Sequence, residues 1–506
     1  MTTYSTPGML LALSAGFAGL LAPVAEVAPT TRAAASSSVR TGDLAWQSCA
    51  RPGGPQQQEC ARLTVPLDHR DPDGRQISLA VSRLVSDRPE SRRGTLVVIP
   101  GGPGGSGVQR LAQRGAALQR EVKGAYDLVA LDPRGAGGST GAGCGLTEDD
   151  RRFHHLARAW PGPDGSIDAN VARARRVADA CARDGGPVLR SMSTANEVRD
   201  IESFREALGV AKLSAWGTSY GAYVAAVYAQ HHPHRIDRWV LDSNGDPDPR
   251  RVGRGWLANL GRGVEDRFPD FAAWAAHPDR GALRVAERPE QVRPTFLALA
   301  GALDAAPRDT AAGDVQLTGN LLRLHLQLAL SGPEAEFAEL ARVIRAVQED
   351  RVPELPAELT AVWGQEEAAA MIATVCNDVE FPGRVEDYRR AVAADRAARP
   401  LTAGQPENIV ACAFWRERPV DAPTRITDRG PSRVLMVQNL RDPATPYAGA
   451  LRMRRALGER ARMVSVDAGG HGAYLTTGNS CADRTVTAFL TTGVRPSTDV
   501  RCPREP

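Results

Sequence analysis

Short runs of consecutive apolar residues recur along the chain, and most of them lead into a turn rich in glycine. A short run without alternating polar positions is typical of a strand buried on both faces of a parallel sheet. We therefore predict strands at 95–99, 126–131, 213–216, 239–242, 433–438 and 462–466.

Segments with helical spacing of apolar positions separate these runs. Helices are predicted at 196–208 and 222–232, and a last one at 482–490. Between about 250 and 410 strand-like runs are scarce, and helical patterns dominate. They cover 320–330, 334–349, 365–375 and 386–396. Strand–helix alternation predicts an α/β fold with a mostly parallel sheet, and the helical block predicts a cap inserted into it.

Length and charge narrow the picture further. The 506 residues, 42% of them hydrophobic, are enough for one large domain with an insertion or for about three smaller units. We divide the chain into a core (36–248), a helical cap (249–425) and a second part of the core (426–506). The net charge of +3 argues against a general nucleic-acid-binding protein, which needs a strong basic excess.

The amino-terminal segment indicates export. Residues 9–21 form an apolar run that is too short for a membrane span but suits a signal peptide, and Ala33 to Ala35 supply a cleavage site of small residues. The residues before the run lack Lys and Arg, so a disordered tail is the alternative. We predict a signal peptide over 1–35, secretion to the extracellular space, and no membrane span.

The eight cysteines support the same compartment. An even number in an exported chain is typical of disulfides, and the spacing lacks the CxxC elements of zinc or iron–sulfur sites. Pairing in sequence order closes the shortest loops and is favoured over free buried thiols. The predicted pairs are Cys49–Cys60, Cys144–Cys181, Cys376–Cys412 and Cys481–Cys502.

Two serines match the pattern G-x-S-x-G. Ser219 follows an apolar run directly and opens an apolar helix, which predicts the sharp strand–turn–helix elbow that exposes a nucleophilic serine. Ser139 lies several residues beyond its strand, and no helix follows it. Ser219 is therefore the predicted nucleophile, and Ser139 a loop residue.

A serine nucleophile needs a base, and the base needs an orienting carboxylate. His471 lies in a Gly-rich loop after the last predicted strand, and Asp442 follows the strand before it. The order Ser, Asp, His is that of α/β-hydrolases. Asp242 also ends a strand and is the rival acid. Three further histidines, at the end of the elbow helix, are interpreted as structural rather than metal-binding. They are His231, His232 and His234.

The tetrahedral intermediate of acyl transfer needs backbone donors aimed at its oxyanion. The amide of Tyr220, next to the nucleophile, is one candidate. The amide of Gly102, in the Gly-rich loop after the first predicted strand, is the other, because glycine lets the backbone approach a substrate closely. That loop lacks the Lys of a phosphate-binding loop.

Five motifs together resemble the proline-iminopeptidase branch of α/β-hydrolases, and most closely the secreted bacterial tripeptidyl aminopeptidases. They are PGGPGGSG (100–107), DPRGAGGS (132–139), WGTSYG (216–221), DPATP (442–446) and GGHG (469–472). Residues 376–378 and 411–415 are similar to that group's carboxy-terminal part, which begins near 400. The chain departs from the family at Pro100, where cytosolic relatives have His, and at Arg416, where Pro is frequent.

The resemblance implies a secreted serine exopeptidase that releases short peptides, in this group tripeptides, from free amino termini. It implies a triad of Ser219, Asp442 and His471, with Gly102 and Tyr220 as oxyanion donors. Binding the substrate ammonium requires an acidic group. Asp378 and Glu380 are the candidates, with Glu366 and Glu367 behind them, and a solvated surface is the alternative for all four. Arg134 is interpreted as organising its own loop through an ion pair.

Two other functions remain open. A carboxylesterase could use the same triad, and a hydrolase-fold binding protein would be expected to lack one of its members. We expect no cofactor and no metal, peptide substrates rather than nucleic acid, and a monomer.

Overall fold

The computed structural model describes residues 44–505, except for 52, 154–157, 312 and 314. The predicted signal peptide (1–35) lies outside the described residues. In the described part of the chain, no helix is both long and apolar enough to cross a membrane.

A single ten-stranded sheet forms the body, in the order β1-β2-β3-β5-β4-β6-β7-β8-β9-β10. The seven strands β4 to β10 are parallel to one another, whereas β1, β2 and β3 form an antiparallel edge. The strand bounds are β1 Gln47–Ser48, β2 Glu59–Pro66, β3 Gln76–Leu84, β4 Gly94–Ile99, β5 Tyr126–Leu131, β6 Leu213–Thr218, β7 Ile236–Asp242, β8 Val434–Arg441, β9 Ala461–Gly469 and β10 Val500–Cys502.

Fifteen α-helices are described. Their bounds are α1 Gly107–Glu121, α2 Glu148–Phe153, α3 Asp168–Asp184, α4 Gly186–Ser191, α5 Thr194–Ala207, α6 Tyr220–His231, α7 Arg254–Ala276, α8 Pro289–Ala305, α9 Gly319–Ser331, α10 Ala335–Gln348, α11 Ala357–Thr360, α12 Gln365–Asp378, α13 Val385–Ala398, α14 Tyr447–Leu457 and α15 Ser480–Thr492. Short 3₁₀ turns are Pro89–Ser91, Pro278–Leu283, Gln405–Glu407, Ala411–Phe414 and Gly458–Arg460.

The central strands are apolar throughout because both faces of the sheet are covered. In β4, Val97 and Ile99 pack with the core on the face of α5 and α6, whereas Leu96 and Val98 pack on the opposite face with α1 and α15. Alternate residues of a strand point to opposite faces, so a strand covered on both sides has no polar alternation. This confirms the predicted α/β fold with its mostly parallel sheet.

Between β7 and β8 the chain is helical, and helices α7 to α10 enclose a hydrophobic core of their own. Its centre is aromatic, with edge-to-face contacts of Phe271 with Phe337 and of Phe268 with Phe296. We refer to residues 254–398 as the helical segment.

Four disulfides join the cysteines in the predicted sequential order, Cys49–Cys60, Cys144–Cys181, Cys376–Cys412 and Cys481–Cys502. Cys376–Cys412 joins α12, the second-last helix of the helical segment, to the turn at Ala411–Phe414. Cys481–Cys502 joins α15 to the edge strand β10.

Candidate active site

Ser219 lies at the sharp turn between β6 and α6. Its backbone has φ 63° and ψ −124°, a conformation that non-glycine residues rarely adopt. The flanking glycines make the turn possible. A Cβ on Gly217 would lie 2.3 Å from the Gly221 carbonyl oxygen, and one on Gly221 would lie 2.4 Å from the carbonyl oxygen of Ile99. The G-x-S-x-G spacing thus has a steric cause here.

The second match to the pattern is a buried loop residue. The Ser139 hydroxyl donates to the backbone carbonyl of Asp132 at 2.6 Å and accepts a hydrogen bond from the Ala80 amide at 3.0 Å. The bond to Ala80 fastens the loop after β5 to β3, and the bond to Asp132 closes the loop on itself. Arg134 in the same loop forms a two-pronged ion pair with buried Asp200, as the sequence predicted.

His471 pairs with Asp442, not with Asp242. Its Nδ1 atom lies 3.0 Å from each carboxylate oxygen of Asp442. The Asp442 side chain is buried and also accepts hydrogen bonds from the amides of Ala444 and Thr445, each at 2.9 Å. Burial lowers the pKa of His471, but the charge of Asp442 and its hydrogen bond outweigh this effect, so the pKa is raised overall.

Asp242 has a different place in the same region. Its backbone carbonyl accepts a hydrogen bond from the Ser219 amide at 2.8 Å, and its carboxylate accepts bonds from the amides of Ala473 and Tyr474 at 2.8 and 3.1 Å. Asp242 therefore joins the turn that carries Ser219 to the loop that carries His471. Burial raises the pKa of the Asp242 carboxyl group to about 6.

A cavity of about 590 Å³ adjoins Ser219. Gly102 and Tyr220 line it beside the serine, and the loop of Gly102 lies close, since a Cβ on Gly101 would be 3.0 Å from the Ser219 Cβ atom. Most of the remaining wall is apolar and belongs to the helical segment. These apolar residues include Trp256, Leu257, Leu260, Val264, Leu324, Leu328, Met371 and Val375.

A second cavity, of about 990 Å³, lies on the His471 side. Its wall carries more charged side chains than that of the first cavity, among them Arg267, Arg441 and Asp467, and Ser331 lines both cavities. The site therefore has an apolar side next to the serine and a more highly charged side next to the histidine.

The proposed ammonium ligands Asp378 and Glu380 are not brought to the Ser219 cavity. Among the described residues, the carboxylates that line it are Glu358 and Glu367. Asp378 instead accepts hydrogen bonds from the amide and the hydroxyl of Thr194, at 2.8 and 2.5 Å. The Glu380 side chain is 69% exposed and lies 3.8 Å from Arg418 on the surface. Glu367, which the sequence analysis named only as a residue behind Asp378 and Glu380, lies in the cavity wall.

Sequence reasoning missed two further polar residues near Tyr220. Glu197 in α5 is only 3% exposed, and its Oε2 atom lies 3.1 Å from the Tyr220 hydroxyl, while Thr194 Oγ1 lies 2.8 Å from the same hydroxyl. On sequence alone they resemble ordinary residues of an amphipathic helix. Among the described residues, no group of three or more His, Cys, Asp or Glu side chains is arranged to hold a metal ion.

Comparison with known proteins gives two family matches along the chain. Residues 94–288 match the alpha/beta hydrolase fold, and residues 400–502 match the family described as TAP-like protein. The tripeptidyl aminopeptidase of Streptomyces lividans is 32% identical over 93% of this chain and 88% of its own length.

Two mycobacterial relatives are more distant. The serine protease Hip1 of Mycobacterium tuberculosis is 26% identical over 88% of this chain and 87% of its own length. Carboxylesterase B of the same species is 28% identical over 90% of this chain and 89% of its own length. With the full-length similarity to the Streptomyces enzyme, these matches show that the chain is a serine hydrolase that belongs to the tripeptidyl aminopeptidase family of α/β-hydrolases.

Proposed function

We propose that this chain is a secreted aminopeptidase that releases tripeptides from free amino termini through an acyl-enzyme on Ser219. The observation that carries the proposal is the wall of the 590 Å³ cavity. It combines a strained serine, Gly102 and Tyr220 beside it, a large apolar surface and two carboxylates. Such a cavity suits a short peptide with a charged amino terminus.

In the acylation step, Ser219 Oγ attacks the carbonyl carbon of the third substrate residue. His471 Nε2 takes the serine proton, while Asp442 holds the imidazole through Nδ1 and stabilises its positive charge. The amides of Gly102 and Tyr220 donate to the oxyanion. The carbon–nitrogen bond then breaks, and His471 returns the proton to the leaving amine.

In the deacylation step, His471 takes a proton from water, and the resulting hydroxide attacks the ester carbonyl. The ester bond breaks, Ser219 recovers its proton, and the tripeptide leaves with a new carboxylate. The second cavity, beside His471, is a suitable place for the downstream part of the substrate, which leaves after acylation.

Glu367, near the start of α12, is the proposed ligand of the substrate ammonium, with Glu358 in α11 as its neighbour. Arg158, also in the wall, donates to the backbone carbonyl of Glu358 at 2.6 Å and so stabilises this part of the wall. A carboxylate pairs with an ammonium group but gains nothing from an acetylated amine, so the two glutamates would select free amino termini.

The test compares hydrolysis of an Ala-Pro-Ala chromogenic amide with that of its N-acetylated form. We expect cleavage of the free amine only. Equal cleavage of the two forms would contradict amine recognition. Mass spectrometry of the products from a longer peptide shows how many residues are released. Cleavage after one or two residues would contradict release of tripeptides.

A carboxylesterase is the second candidate, because the cavity is largely apolar and one relative is named a carboxylesterase. An esterase would hydrolyse short acyl esters through Ser219 and leave all amides intact. Ester hydrolysis without any amide hydrolysis would favour this candidate over the peptidase.

Secretion is supported by the four disulfides, since disulfides persist in oxidising compartments. Removal of a signal peptide after Ala35 completes the proposal. Amino-terminal sequencing of protein from the culture medium tests it, and an intracellular chain with its first residues intact would contradict it.

A further inference from the structure

The Tyr220 side chain belongs to a hydrogen-bonded chain of four polar side chains that the proposed mechanism does not use. The other three are Glu197, Thr194 and Asp378. The Tyr220 hydroxyl lies 3.1 Å from Glu197 Oε2 and 2.8 Å from Thr194 Oγ1. Thr194 Oγ1 lies 2.5 Å from Asp378 Oδ2. The chain therefore has a carboxyl group at each end and two hydroxyl groups between them.

The number of available protons limits the protonation states of this hydrogen-bonded chain. Its three contacts each need a proton between two oxygens, but the hydroxyls of Tyr220 and Thr194 supply only one proton each. If both carboxyl groups were ionised, one contact would join two lone pairs in a buried place, which is costly. One additional proton, on one of the two carboxyl groups, satisfies all three contacts.

The surroundings place this proton on Glu197. Asp378 accepts two hydrogen bonds from Thr194 at the amino terminus of α5, where the helix dipole favours a negative charge. Glu197 has a single hydrogen-bond contact, with the Tyr220 hydroxyl, and is 3% exposed. A buried carboxyl group with so few donors is more stable in its neutral form.

Neighbouring charges act on both carboxyl groups. Asp200, one turn along α5, repels a charge on Glu197, and Arg134 beside it is already bound to Asp200. Asp421, which is paired with Arg199, faces Asp378. The neutral Tyr223 also lies beside Asp378. Burial raises the pKa of Glu197 to about 8 and that of Asp378 to about 7, so one of the two groups keeps a proton near neutral pH.

We propose that Glu197 is a positioning residue that, as a neutral acid, donates its proton to Tyr220 and thereby fixes the backbone amide of Tyr220 in the oxyanion hole. The direction of donation runs from Glu197 through Tyr220 and Thr194 to the Asp378 carboxylate. This inference rests on the proposed role of Ser219 and Tyr220. The Tyr220 ring connects the chain to the cavity wall, since it packs edge-to-face on Trp256 with ring centres 6.0 Å apart.

Loss of the Glu197 proton removes the donor at one end of the chain. We expect kcat to fall as the pH rises through the pKa of Glu197, with KM little changed, because the oxyanion donor serves the transition state. Glu197→Gln carries a permanent donor in the same place. It should raise the ratio of kcat at pH of about 9.5 to kcat at about 7.5 relative to the wild type.

The protein offers a matched control pair on α5 and α6, Glu202 and Tyr228. The Tyr228 hydroxyl donates to Glu202 at 2.6 Å. Burial raises the pKa of Glu202, but the hydrogen bonds from Arg205 and Tyr228 outweigh this effect and lower it overall. Glu202→Gln and Tyr228→Phe should leave the pH profile unchanged. Tyr220→Phe, which keeps the amide but loses the hydroxyl, should lower kcat about 10-fold, less than the 10²–10³-fold loss on deleting an oxyanion donor.

Infrared spectroscopy tests the proton without any substrate. At pH of about 7.5, the wild type should show the carbonyl band of a protonated carboxyl group that is absent from Glu197→Gln and present in Glu202→Gln. A wild-type spectrum without that band, or a band that persists in Glu197→Gln, would overturn the proposal. If the peptidase function were wrong, the band would still be present, and the kinetic comparison would use an acyl ester.

Discussion

The carboxyl edge of the sheet and the helical segment contribute to the same cavity in different ways. The edge supplies Ser219, Asp442 and His471, each within two residues of the end of a buried strand. The helical segment supplies most of the apolar wall and both carboxylates, from helices that lie far apart in the sequence. The chemistry is thus encoded in short local motifs, whereas the surface that meets the substrate depends on how several helices pack.

The largest expected effect concerns the two serines of the edge. Ser219→Ala should lower kcat by about 10⁶-fold, because no other group can form the acyl-enzyme. Ser139→Ala, in the other G-x-S-x-G match, should retain activity, since its hydroxyl is committed to the loop after β5. Steady-state kinetics of both purified variants check this, and retained activity in Ser219→Ala would contradict the mechanism.

The second-largest expected effect separates Asp442 from Asp242, the two carboxylates at the ends of strands. Asp442→Asn should lower kcat by about 10⁴-fold, because the imidazole loses its orienting charge. Asp242→Asn should cost about 10²-fold or less, because Asp242 holds backbone amides rather than the imidazole. Equal losses in kcat for the two variants would contradict the assignment of Asp442.

The acid limb of the pH profile separates them further. His471 must be neutral to take the serine proton, so activity falls as the pH drops through its pKa. Asp442 raises that pKa, so its removal should move the acid limb to lower pH. A kcat–pH profile of Asp442→Asn measures the shift, and a limb that stays in place would show that another group titrates.

A smaller effect is expected for the helical segment. Glu367→Gln should raise KM for the free-amine substrate about 10-fold, equivalent to about 1.4 kcal/mol of lost binding. Glu380→Gln should leave KM unchanged, because that side chain lies on the surface beside Arg418. The reverse result in these two KM measurements would restore Glu380 as the ammonium ligand.

The smallest effect on activity concerns the disulfides, whose removal should act on stability. Replacing both Cys376 and Cys412 by Ser opens a loop of 36 residues and should lower the free energy of unfolding by about 4 kcal/mol. The same change at Cys49 and Cys60, only 11 residues apart, should cost about 3 kcal/mol. Denaturant titration measures both, and a larger loss at Cys49–Cys60 would contradict the loop-length argument.

The sequence predicts the central strands well because each depends on a local apolar pattern. Strands β4 to β9 lie where the apolar runs predicted them, and the glycines around Ser219 are required by the turn itself. The antiparallel strands β2 and β3 were not singled out. Their alternating pattern with an exposed edge is weaker than a continuous apolar run.

The substrate side of the site could not be predicted in the same way. Asp378 and Glu380 flank the end of α12 and differ little in sequence from Glu367 near its start. Only packing decides that Asp378 turns to Thr194 and that Glu367 turns to the cavity. The proton between Glu197 and Asp378 likewise depends on distances between α5, α6 and α12, which no spacing along the chain encodes.

The most direct test of the account is to identify the residue that a fluorophosphonate labels. We predict a single adduct, located on Ser219 by mass spectrometry of the digested protein, and much slower labelling in His471→Ala. An adduct on Ser139 or on any other residue, or labelling at an unchanged rate in His471→Ala, would contradict the assignment of Ser219 and His471 as nucleophile and base.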